Sequence, residues 1–194
     1  MNKELTNCFK NVKDSANAAL AHYQIWFALR GHGKALKNHY DDMNDYRYSE
    51  FFSAANIGNY KLMFVESACL FDSNPKTDSI RKLKGLLKKS GHQSLVDEFD
   101  STLSPHKNLV SNMKTIRNRI IAHKESAVDP KDLYKKHGIK PNDIRDLLTK
   151  TARILRKIEH TLNNNESFSS VGPTDRWETA TFALLKVLQN GRRS

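Results

Sequence analysis

The sequence predicts an all-α chain: an up-and-down bundle of five to seven helices in a single domain spanning residues 1–194. Three observations lead there. Apolar residues recur at steps of three and four through most of the chain, which is the spacing of a helix face. Only 8 Gly and 5 Pro occur in 194 residues, too little punctuation for a fold of many short strands. Hydrophobic residues at 38% and charged residues at 27% describe a globular chain long enough to bury a core.

The elements follow in order. Leu5, Phe9, Val12, Ala16, Ala19, Tyr23 and Trp26 form one face of a long first helix, stopped by Gly31 and Gly33. The polar and aromatic stretch 32–49 reads as a loop with a short turn. Glu50 to Asp72 is apolar nearly all round and predicts a central helix, with Ser49 as N-cap and "DSNPKTD" as its stop. Thr77 or Asp78 caps a short helix carrying Arg81, Lys82, Lys84, Lys88 and Lys89. Ser94 caps the next, whose stripe of Leu95, Val96, Phe99 and Leu103 ends before Pro105. A further helix runs from about Pro105 to a break near Asp129-Pro130. "KDLYKKHGIK" is a basic connection, and Pro141 opens a helix whose face is Ile144, Leu147, Leu148, Thr151, Ile154, Leu155, Ile158 and Leu162. A polar linker, 165–172, leads to a last helix over Pro173–Gln189.

The net charge is +11. Such a surplus suits a polyanionic partner, most often nucleic acid, bound with release of counterions; the plainer reading is a solvated basic surface. Cys8 and Cys69 are far apart and form neither a disulfide framework nor a metal knuckle, which suits a reducing cytoplasm. The first fifteen residues lack an apolar signal region, and no apolar run reaches the ~20 residues of a membrane span. No cofactor or metal is expected. Asp41, Asp42 and Asp45 lack the glycine and closing glutamate of a calcium loop, the histidines show no zinc spacing, and "RGHGK" lacks the spacing of a phosphate loop.

The segment "KTIRNRIIAHKE", Lys114 to Glu125, places polar groups inside an apolar helix pattern. On a wheel centred on Leu109, Met113, Ile116 and Ile120 fall within about 40°. Val110 and Ile121 lie about 100–120° round, and Arg117 falls at about 80°, between the two stripes. His123 sits at about −40°, on the edge of the first stripe, while Asn118 and Arg119 point elsewhere. An arginine in that arc must run its stem to water, pair with an acid, or face a partner surface. Taken alone, His123 is most simply a structural histidine. Together, a guanidinium and an imidazole are the minimum for metal-free RNA cleavage: one base for the 2′-OH proton and one cation for the crowded phosphorane. Arg119, four residues before His123, is the alternative partner in that pair.

Arg117-Asn118, four further residues, then His123 resembles the R-x(4–6)-H signature of the HEPN superfamily, and the helical layout before it is similar to the abortive-infection AbiU-type branch. The resemblance implies a helical bundle that forms a homodimer, and a metal-independent endoribonuclease acting as a toxin or phage-defence effector. It assigns Arg117 and His123 as the catalytic pair, with Asn118 orienting the site. Lys114, Arg119 and Lys124 are the neighbouring cations expected to meet RNA. An antitoxin protein is a further implied partner, but the tyrosine that one toxin branch carries just after its histidine is missing here, which points away from a nucleotidyltransferase antitoxin. The alternative is a HEPN-like module that binds nucleic acid or a protein without cleaving.

Overall fold

The computed structural model of the protein describes residues 3–30, 34–122, 135–162 and 175–193. All regular structure among these residues is helical, in agreement with the all-α class. Helix α1, Lys3–Leu29, is the long axis. Leu5, Val12, Ala19, Leu20 and Tyr23 are almost fully buried along it, and it packs against most of the other helices. Helix α3, Ser49–Leu70, lies beside it through Met63, Phe64 and Leu70. Helix α4, Ile80–Lys89, and helix α5, Gln93–Leu103, close one flank through Leu83, Leu87 and Phe99. Helix α6, Lys107–Ile116, adds Met113 and Ile116, and helix α7, Pro141–Leu162, adds Ile144, Leu147, Leu155 and Ile158.

Segment 32–49, expected as a loop, carries helix α2, Lys34–Asn44, kinked at His39. Its polar sequence hid an inward edge. His39, Asp42 and Met43 are buried, with His39 Nδ1 3.3 Å from Asp42 Oδ2, so two polar residues reach the interior as a pair. Met43 joins Leu29, Phe52 and Leu185 in a second, smaller core that seats the last helix, α8, Arg176–Arg193. The buried Gln24 of α1 explains how that helix docks. Its Oε1 accepts the backbone N–H groups of Trp177 and Glu178, capping the first turn of α8 from another element. Glu178 also pairs with Arg145 of α7.

The expected caps moved. Ser49 is the first residue of α3 rather than its cap, Ser79 precedes α4, and His92 rather than Ser94 precedes α5. The "DSNPKTD" stop behaves as expected: Asp72 accepts the Asn74 N–H at 3.0 Å and the Thr77 hydroxyl at 2.8 Å. Helix α4 ends in a Schellman turn. Gly91, at φ 84°, lets its N–H reach the Lys88 carbonyl and the His92 N–H reach that of Leu87. The expected stop at Gly31 and Gly33, the break near Asp129-Pro130, the linker 165–172 and the opening Pro173 lie outside the described residues.

Candidate active site

Helix α6 does not continue as an α-helix through the motif. From Arg117 to Ala122 the backbone turns as a π-helix. Bonding from i to i+5 gives roughly 80° per residue in place of 100°, so side-chain directions beyond Arg117 shift by about 20° per residue from the wheel. Met113 and Ile116 are buried as the wheel expects, and Leu109, Val110 and Ile121 pack partly buried against the same core.

Arg117 is half-buried. Its Nε is buried and has no hydrogen-bond partner among the described residues. Its Nη1 donates to Asn118 Oδ1 at 2.8 Å. The two residues that the wheel separates are therefore joined, and Asn118, itself exposed, holds the edge of the guanidinium at the surface. Of the three outcomes open to this arginine, the structure shows the stem buried and the tip emerging toward a neutral amide. Arg119 is half-buried and engaged in an interaction of its own. His123 and Lys124 lie outside the described residues.

The neighbour that sequence reasoning missed is the C-terminal end of α3. The π-turn packs against α3, and the Arg117 charge is felt at Cys69. Although Cys69 keeps exposed surface, partial desolvation of its thiol pushes its pKa up, Glu66 and Asp72 add to this, and Arg117 opposes it. Asp72 is held below the usual carboxylate range, first by the Asn74 N–H, then by the Thr77 hydroxyl and more weakly by Lys114. Residues 69–72 precede the motif by more than forty positions, and no local pattern announces that they lie beside it. The aspartates of "DDMND" do not converge: Asp42 turns in to His39, while Asp45 clamps Arg47.

A family model described as AbiU2, of the HEPN class, matches residues 3–181. The chain belongs to the AbiU2 family of HEPN proteins. The match spans α1 to the first turns of α8, so the main core and the Arg117 segment fall inside it. It ties this HEPN protein to an abortive-infection family. No curated protein and no solved structure matches the chain. No helix among the described residues is long and apolar enough to cross a membrane.

Proposed function

We propose that this HEPN protein is a metal-independent endoribonuclease and acts as a toxin or phage-defence effector. His123 takes the proton of a ribose 2′-OH; the oxygen attacks the adjacent phosphorus; the 5′-oxygen leaves with a returned proton. Arg117 stabilises the negative charge that builds on the phosphorane, and Asn118 fixes the plane of its guanidinium. The products are a 2′,3′-cyclic phosphate, or the 3′-phosphate that its hydrolysis gives, and a 5′-hydroxyl.

The observation that carries this reading is the state of Arg117. A buried Nε with no hydrogen-bond partner among the described residues costs stability, of order 1–3 kcal/mol for the lost bond. A π-turn is likewise a local departure that recurs at functional sites. Two unfavourable features at one motif favour a ligand over a structural role. The homodimer belongs to the same proposal. Phe51, Ala54, Gly58, Leu62, Val65 and Cys69 recur at steps of three and four on the outer side of α3, and Phe51 is 63% and Leu62 44% exposed. That apolar face ends beside Arg117, where a second protomer would bring a second motif.

The test is RNA degradation in EDTA by the wild-type protein, Arg117→Ala and His123→Ala. The reading expects each variant to lose roughly 10²–10⁴-fold in rate with its fold retained. Equal cleavage by all three, or cleavage abolished by EDTA, overturns it. RNA binding that survives His123→Ala, with no product from any form, identifies a binding module instead.

A further inference from the structure

The surface beside the motif contains a second cationic element, brought there by the fold. Between Asp100 and Glu125 the chain carries no acidic residue, and none occurs between Asp132 and Asp143. These two acid-free stretches meet. Asn112 Nδ2 donates to the His137 carbonyl at 3.1 Å, and His137 Nδ1 lies 3.0 Å from Asn112 Oδ1. The amide nitrogen faces a carbonyl, so its oxygen is the acceptor and the imidazole carries its proton on Nδ1. A reciprocal pair of this kind fixes both position and orientation. A second contact, His106 Nε2 to Asp146 Oδ2 at 3.3 Å, shows that the chain entering α7 runs antiparallel to α6.

Three lysines ride on the pinned segment. Lys135 and Lys136 occupy the helical turn that His137 ends, and Lys140 follows Gly138, whose φ of 53° redirects the chain into α7. All three are exposed, and among the described residues none forms an ion pair with a carboxylate. Asn112 lies five residues before Arg117, about 8 Å along the helix axis. Between them α6 carries the half-buried Lys114 and Thr115, and on the far side of Asn112 its outer face continues with exposed Ser111, Asn108 and Lys107, groups suited to phosphate and sugar oxygens.

We propose that Lys135, Lys136 and Lys140, held against α6 by the Asn112–His137 pair, form a strip that tracks the phosphates of the RNA strand leading to Arg117. This rests on the reading of the protein as an RNA-binding HEPN ribonuclease and names the part of the substrate it grips outside the cleavage motif. The strip reads backbone, not sequence, so affinity follows phosphate count and salt. Asn112 and His137 are positioning residues within it.

The experiment uses the full chain with His123→Ala, which removes the proposed base, and a fluorescent oligouridylate titrated at several salt concentrations. Replacing Lys135, Lys136 and Lys140 by glutamine is expected to reduce the slope of log Kd against log salt by about 2, at roughly 0.7 per single-strand phosphate contact. Asn112→Ala, which removes no charge, is expected to lower the slope in the same direction, and His137→Ala to repeat it, with thermal unfolding showing that each protein is folded. A triple-glutamine protein with wild-type affinity and slope overturns the strip. So does tight, lysine-dependent binding of polyglutamate with no binding of RNA, which would make the partner an acidic protein. Cleavage by the His123-intact chain is scored separately: loss of the lysine dependence with cleavage intact refutes the strip alone, and lysine-dependent binding with no cleavage refutes the nuclease alone.

Discussion

Helix α7 and the α6–π segment are both rich in cations, and they use them in opposite ways. On α7, Arg145 pairs with Glu178, Lys150 with Asp146 at 2.7 Å, and Lys157 with Glu98 at 2.5 Å. Its other face is a regular apolar stripe with Leu147 and Ile158 fully buried. Charge there braces the helix along its own turns and, through Glu178 and Glu98, staples it to its neighbours. The stretch 107–122 itself carries no acidic residue, the Arg117 side chain donates to a neutral amide, and the backbone leaves α-geometry at that residue. The lesson is that net charge says little until each cation's partner is known. The same +11 chain contains both a helix laced with ion pairs and a stretch of cations with no acidic residue among them in sequence.

The largest effect that would break the comparison concerns cleavage. Arg117→Ala is expected to lose at least ~10²-fold in RNA cleavage, and Arg153→Ala, an exposed cation of α7, to stay within about twofold. Similar losses in both would mean that the two cationic surfaces share one role. Next comes Leu147→Ala, which opens a cavity in the main core and should cost about 2–5 kcal/mol in urea unfolding; a cost under ~1 kcal/mol would show that α7 is not the scaffold described.

A smaller effect has the opposite sign. Arg117→Met keeps the apolar stem and removes the buried, unpartnered Nε, so it should abolish cleavage while raising stability by about 1 kcal/mol. Lower stability would show that the guanidinium is structural. The smallest concerns Lys157→Ala, whose exposed pair with Glu98 is worth about 0.2–1 kcal/mol and should fade in high salt.

Much of the fold was legible because burial leaves a periodic trace. The apolar stripes of α1 and α7 return as the buried residues of the main core almost position for position, whereas α3, expected to be apolar nearly all round, buries Met63, Phe64 and Leu70 there and leaves Phe51, Ile57 and Leu62 exposed. Helix α2 was illegible because its inward edge is partly polar: His39 and Asp42 are buried as a pair beside Met43. At the site, the anomaly of Arg117 could be read from spacing, but its bond to Asn118 could not. The wheel assumes α-geometry, and the π-turn alters the angle between neighbours. Cys69, Glu66 and Asp72 left no local signal, since their nearness to Arg117 depends on how α3 packs against the π-turn.

By itself, the sequence determined the helical class, the faces that make the core, the excess of positive charge and the Arg117–His123 spacing. Those depend on composition and on contacts between residues a few positions apart. Only the tertiary structure decided which cations are neutralised, which carboxylates reach the motif, and that a lysine-bearing turn is pinned to α6 by Asn112 and His137. Such pairings are made between segments distant in the chain, and hydrophobic periodicity, which is non-directional, does not encode them.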